Sequence, residues 1–169
     1  MSTCHLVVDS PVDELTLVSD GTAVRALYFA EHRHAPAHSA LGQRVHSVDA
    51  PPVLTMTATQ LSEYFAGERT TFDLPLDPVG TDFQQRVWRA LRQIPYAQTR
   101  GYGELAASIG ARGAARAVGA ANGRNPLSVI VPCHRVIGAD GSLTGYGGGA
   151  QRKQALLDLE RRVAGVSLW

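Results

Sequence analysis

The 169 residues include 44% apolar side chains and carry a formal net charge of +1, enough hydrophobic material for one domain or two small ones. No apolar run reaches the length of a membrane helix, and the start, MSTCHLVVDSP, lacks the basic residues and long apolar centre of a secretory signal, so a cytoplasmic protein is expected. Cys4 and Cys133 form neither a disulfide framework nor a C-x-x-C zinc pair, and both thiols are expected to be free and reduced.

Taken in chain order, the first part reads as β. HLVVDSP, LTLVSDG and VRALYFA are short runs rich in Val, Leu, Tyr and Phe between turn residues, and Ser19-Asp20-Gly21 suits a hairpin turn between the second and third. The polar stretch 31–50 reads as a loop. TMTATQLSEYFAGE reads as a helix with Leu61, Tyr64 and Phe65 on one face and Gly67 as its stop. These elements make a small α/β domain over 1–75. TTFDLPLDPVG, with Pro75 and Pro78, reads as connecting chain, and 76–80 is taken as the linker.

The second part, 81–169, reads as helical. Thr81 or Asp82 can cap a helix through FQQRVWRALRQI, with Phe83, Val87, Leu91 and Ile94 apolar and Pro95 beyond its end. YGELAASIGA and RGAARAVGAANG follow as two short helices around Gly110, a helix-turn-helix candidate. NPLSVIVPCHRVIG is extended or tightly turned. ADGSLTGYGGG is a glycine-rich loop, and QRKQALLDLERR is a closing helix that offers Leu156, Leu157 and Leu159 to a core. The expected class is therefore α+β.

Charge divides the same way. Residues 1–80 hold four Arg against ten Asp and Glu, a balance of −6; residues 81–169 hold eleven Arg and one Lys against five Asp and Glu, a balance of +7. A basic half suits contact with a polyanion such as nucleic acid, and it equally suits pairing between the two halves.

Cys133, in VPCHRVIG, has three readings. As a metal ligand it has only His134 near it in sequence, against the four ligands zinc prefers. As a small buried side chain it would be ordinary. As a nucleophile it needs a base and a group to orient that base, for which His134 and Glu160 are candidates. In an extended segment neighbouring side chains point apart, so His134 would then need a turn or a bridging water to serve Cys133. The helix around GAARAVGAANG is almost all small residues, with Arg116 protruding. That pattern fits close approach to a partner's groove or a tightly packed helix contact.

PCHRV, together with N-P at 125–126, A-A-R-A-V-G at 114–119, T-G-Y-G-G-G at 144–149, FQQRVW, Y-G-E-L-A and R-K-x-A-L-L-x-L-E, resembles the O6-alkylguanine-DNA alkyltransferases, the methylated-DNA–protein-cysteine methyltransferase family. The likeness runs from about Thr81 to Glu160; the N-terminal half agrees mainly in layout. It implies repair of O6-alkylguanine, and of O4-alkylthymine as a further substrate, by irreversible single-use transfer to the protein's own cysteine, with no cofactor and no metal. The implied roles are Cys133 as acceptor, His134 as base through a water, Glu160 as the group that fixes it, Tyr102 as proton donor to the leaving guanine and Asn125 as support for the reactive segment. Val136, Tyr146, Gly147, Gly148 and Lys153 would surround the substrate base.

On the same resemblance Arg116 would fill the stack after nucleotide flipping, with Tyr102, Ala115, Ala117, Gly119, Arg112, Arg124 and Arg135 on the DNA-binding surface. The implied partner is double-stranded DNA carrying O6-alkylguanine, met by a monomer that can bind cooperatively, with no membrane involved. Gly101 departs from the serine many relatives have before the tyrosine. Cys4, His5, His32 and His34 are suggestive of the zinc site of some animal relatives but lack its second cysteine. The rival readings are a relative that binds alkylguanine without transfer, a plain helix-turn-helix regulator and a cysteine hydrolase.

Overall fold

A computed structural model describes residues 2–143 and 145–165; Thr144, the first residue of T-G-Y-G-G-G, lies outside them. The chain divides into two compact units, residues 1–79 and 80–169.

In the first unit, β1 (Cys4–Val8), β2 (Leu15–Ser19) and β3 (Val24–Phe29) pair antiparallel in sequence order. The turn expected at Ser19-Asp20-Gly21 closes with side chains: Ser19 Oγ accepts from Gly21 N at 2.8 Å and Asp20 Oδ1 from Ala23 N at 3.0 Å. Within the stretch expected as a loop, a short strand, β4 (Gln43–Arg44), adds parallel to β1 and gives the order β3-β2-β1-β4. Gly42 makes this possible: its φ is +72°, and a Cβ there would lie 2.0 Å from Thr3 O. On the other edge, Val24 N donates to Pro75 O and Asp77 N to Val24 O, so part of the stretch read as connecting chain lies along β3. Helix α1 (Pro52–Phe65) buries Leu54, Leu61 and Tyr64.

The second unit opens with α2 (Asp82–Leu91). Thr81 is its cap: Gln84 N donates to Thr81 Oγ1 at 3.2 Å and Gln84 Oε1 accepts from Thr81 N at 2.9 Å. Expected to run to Ile94, α2 stops at Leu91, and the last residues tighten through Gln93 N to Ala90 O and Ile94 N to Leu91 O. Two helices follow, α3 (Tyr102–Ser108) and α4 (Ala115–Gly123), shorter than the sequence suggested. Gly110 and Gly113, both at positive φ, make the turn between them. Val118, Ala121 and Asn122 are the buried face of α4, and Trp88 Nε1 anchors it by donating to Ala121 O at 2.9 Å.

One pairing of two-residue strands could not be seen in the pattern. β5 (Arg100–Gly101) and β6 (Val136–Ile137) run parallel, Arg100 opposite Val136. Tyr102 follows β5 directly, and Cys133 lies three residues before β6. The pairing thus ties the start of α3 to the segment that follows the cysteine. Helix α5 (Ala150–Ala164) closes the unit with Leu156, Leu157, Leu159 and Glu160 buried.

Replacing Thr81 with Ala removes the cap that fixes the start of α2 and is expected to cost about 1 kcal/mol, read from urea unfolding.

Candidate active site

The chain delivers Cys133 through two three-residue turns. Asn125, just after α4, clamps the segment: its Oδ1 accepts from Leu127 N at 3.0 Å and its Nδ2 donates to Val131 O at 2.9 Å. Inside the clamp Ile130 N donates to Ser128 O at 2.9 Å across Val129, whose φ is +72°. A β-branched residue in that region is strained, and this strained form of the three-residue turn is rare. Next, Cys133 N donates to Val131 O at 2.8 Å across Pro132, at φ −80° and ψ +64°, the relaxed form. Cys133–Arg135 then form a 3-10 turn, with Arg135 N donating to Pro132 O at 3.0 Å. The segment is therefore turned, and the objection that neighbouring side chains point apart, which applies to a strand, does not apply.

Four hydrogen bonds converge on the buried carboxylate of Glu160. Oε2 accepts from His134 Nε2 at 2.7 Å and from Arg135 Nη2 at 3.0 Å; Oε1 accepts from Arg135 Nε at 2.8 Å and from Ala97 N at 3.1 Å. Burial alone would raise the Glu160 carboxyl, but the bonds to His134 and Arg135 outweigh it and hold the group well below the usual carboxylate range. An ionised carboxylate only accepts, so Nε2 carries the imidazole hydrogen and Nδ1 presents its lone pair. Nδ1 is buried and has no hydrogen-bond partner among the described residues. Burial keeps the ring neutral by lowering its pKa, against the pull of Glu160. His134 is thus a neutral base with its acceptor nitrogen unengaged, one residue from Cys133.

Cys133 is itself 3% exposed. Burial pushes its thiol up; the Asn125 side chain, the Lys153 charge and the Ser128 hydroxyl oppose that shift in turn. Lys153 is fully buried and donates to Val136 O. Tyr146, Gly147 and Gly148 are buried as well. Tyr102 is half-buried, and its ring faces Gly119 of α4, where a Cβ would lie 3.7 Å away, at ordinary contact distance. Burial and then the charge of Cys133 raise the Tyr102 hydroxyl, which keeps it a proton donor. Gly101 supplies no side-chain cap to α3; Glu104 Oε1 accepts from Gly101 N at 3.0 Å instead.

Arg112, Arg116, Ala117 and Arg124 are exposed, and Ala115 and Gly119 half-buried. Arg135, expected on the DNA-binding surface, is corrected by the structure. It is 7% exposed, its guanidinium is bound to Glu160 on two sides and donates to Ile94 O at 2.8 Å, and it lies over the Tyr96 ring. A side chain so buried and held is part of the interior around Glu160. Sequence reasoning missed Ala97, which sits at φ +63° to aim its N–H at Glu160, and Asn122, whose Nδ2 is 3.5 Å from Cys133 O. It also missed Ser128. None carries a sequence signal, since each acts through a distant partner. Among the described residues no three His, Cys, Asp or Glu side chains converge as metal ligands, and His5 and His32 bond instead to Leu41 O and Phe29 N.

Models of two domain families match: 6-O-methylguanine DNA methyltransferase, DNA binding domain, over residues 82–162, and the ribonuclease-like domain of the same protein over 4–78. A methylated-DNA–protein-cysteine methyltransferase of Mycobacterium tuberculosis is 54% identical over 97% of this chain and 96% of its own. One of Methanosarcina acetivorans is 43% identical over 92% and 97%. Among solved structures, M. tuberculosis OGT in complex with DNA has 52% identity and a TM-score of 0.84, covering 95% of this chain and 94% of that one. M. tuberculosis O6-methylguanine methyltransferase reaches 0.86 at 51% identity, covering 98% and 97%.

The buried pair fixes an acid limb of stability. Glu160 titrates below its ordinary 4.5 in the fold, so its contribution is present above 4.5 and lost as pH falls toward the lowered value. His134 titrates below its ordinary 6.5, so the unfolded chain gains a proton first and stability already declines below 6.5. Urea unfolding across pH is expected to show both. Glu160→Gln flattens the lower limb and costs about 3–5 kcal/mol at neutral pH, because it strands the Arg135 charge.

Proposed function

The chain belongs to the methylated-DNA–protein-cysteine methyltransferase family, and from that premise we propose that it repairs O6-alkylguanine in duplex DNA by moving the alkyl group onto Cys133. It is a DNA-binding transferase of the single-turnover kind. The observation that carries the residue assignment is the His134 Nε2 to Glu160 bond of 2.7 Å, which leaves Nδ1 as the acceptor on the residue next to the cysteine in the chain.

Cys133 gives its proton to His134 Nδ1 through a water. Sγ then attacks the alkyl carbon while the bond from that carbon to O6 breaks, and the electron pair leaves on the guanine. Tyr102 donates a proton to the departing base and recovers one from the imidazolium, so the thiol proton finishes on guanine. This limits charge build-up on the leaving group. The thioether product has no route back, and each molecule acts once. Asn125 holds the segment that presents Cys133. The carbonyls of Cys133 and Val136, with Tyr146, Gly147 and Gly148, form the enclosure for the base, and O4-alkylthymine is a second substrate to test.

The target nucleotide must leave the stack to reach a buried thiol. Arg116, exposed on the slim helix α4, enters the space it vacates, with Ala115, Ala117 and Gly119 permitting the approach and Arg112 and Arg124 meeting phosphates. The reading as a binder without transfer loses its basis: Cys133 is present, and the relatives carry transferase names.

Incubation with a duplex carrying O6-methylguanine is expected to add one methyl group to the intact protein, located on Cys133 by peptide mass, with no gain in Cys133→Ser. An unchanged wild-type mass would refute transfer. Arg116→Ala is expected to slow capture from duplex about tenfold while leaving capture from single strands near wild type, because only the duplex has a stack to refill.

A further inference from the structure

Fifteen of the sixteen basic residues are arginine; the sole lysine, Lys153, is also fully buried. A buried ammonium is costly unless acceptors and an anion surround it. Nζ has three donors. Among the described residues it makes one hydrogen bond, to Val136 O, and lies 6.0 Å from the centroid of the Tyr146 ring. Neither partner is an anion.

Val136, whose carbonyl anchors Nζ, donates its own N–H to Cys133 O, so the ammonium is fixed to the turn that carries the cysteine. Among the described residues the titratable groups that act on it are Cys133 and His134, through charge, and Tyr146, through its ring. His134 is neutral, and burial pushes the Tyr146 hydroxyl far up, so that it stays protonated. Glu160, the nearby carboxylate, already accepts four bonds from His134, Arg135 and Ala97. Arg152, the residue before it on α5, is a further cation and acts on Tyr146. The anion left to answer Lys153 is the one that Cys133 becomes.

We infer that Lys153 is the counter-cation of the Cys133 thiolate, a positioning residue that acts through Cys133 by favouring the ionised sulfur. The choice of lysine follows from its chemistry. A guanidinium spreads five donors over a plane and would need several acceptors in a place that offers one carbonyl; an ammonium is a compact charge that one carbonyl can anchor. The coupling is mutual: Lys153 lowers the Cys133 thiol, and a charge on Cys133 raises Lys153. Methyl transfer replaces the S–H bond by S–C, the proton finishing on guanine, so the product sulfur carries no charge to face the ammonium.

The inference rests on Cys133 being the alkyl acceptor, and its test separates the two claims by following the thiol without DNA. Ultraviolet thiolate absorption of the full chain, with Cys133→Ser as the blank, gives the midpoint of Cys133. Lys153→Met is expected to raise that midpoint by about one unit or more and to slow methyl transfer at neutral pH about tenfold, the deficit shrinking as pH rises. An unchanged midpoint, or the same fractional loss of rate at every pH, overturns the inference. Wild-type protein that takes no methyl group from DNA overturns the transfer reading instead and leaves the thiol titration to judge Lys153.

The second measurement needs no change at Lys153 and decides the matter even where Lys153→Met does not fold. With nitrogen-15 lysine the chain gives one side-chain signal. Its midpoint is expected to be lower by about one unit in Cys133→Ser and in methylated protein than in wild type. Equal midpoints in all three, or an ammonium already neutral at pH 7 in the wild type, overturn the inference.

Discussion

The carboxylate of Glu160 is the constraint on which the second unit depends. It is buried on a helix near the end of the chain, and its four hydrogen bonds reach back to three other places: His134, Arg135 and the backbone of Ala97. Each bond lowers the cost of burying the charge, and together they turn that cost into a fixed geometry. Arg135 supplies the neutralising charge, which frees His134 from having to do so. The imidazole can then stay neutral, give its Nε2 hydrogen to the carboxylate and keep Nδ1 as a base. Had Glu160 only His134 as a partner, the pair would tend toward imidazolium and carboxylate, and the base would be spent.

Backbone strain fixes the other half of the site. The two successive three-residue turns, one relaxed at Pro132 and one strained at Val129, bend the 127–135 segment so that consecutive residues face different partners. Asn125 spans the bend with both ends of its amide, which is how a side chain holds a backbone shape that the local residues disfavour. The two-residue strands β5 and β6 then bind the start of α3 to the same bend, so that Tyr102 and Cys133 belong to one site. Small residues on α4 complete the arrangement, and Gly119 faces the Tyr102 ring, where a Cβ would make an ordinary contact at 3.7 Å.

Much of this was legible in the sequence. The three strands, the helices and their apolar faces follow from period and punctuation, and the order of PCHRV, N-P and the late glutamate carried the family resemblance. Helix ends were less legible: α2 stops at Leu91 because its last turn tightens before Pro95, and α3 and α4 lose residues to the glycine turn between them. Strands β4, β5 and β6 were not legible, because two residues have no period and exist only through a partner elsewhere in the chain. Arg135 was misread for a related reason. Arginine is mostly a surface residue, and only the convergence of Glu160, Ile94 O and the Tyr96 ring draws it inside.

The sequence by itself determined which groups are available: a cysteine next to a histidine, a glutamate on the closing helix, a slim helix with one protruding arginine, and a single lysine among arginines. These are chemical identities, and identity is written residue by residue. The tertiary structure alone decided protonation and partnership: that Nε2 rather than Nδ1 of His134 carries the hydrogen, that Arg135 faces inward, and that the lysine is buried with its ammonium on the Val136 carbonyl. Those properties depend on the distance between groups far apart in the chain and on how much water each retains. Neither quantity exists until the chain has folded.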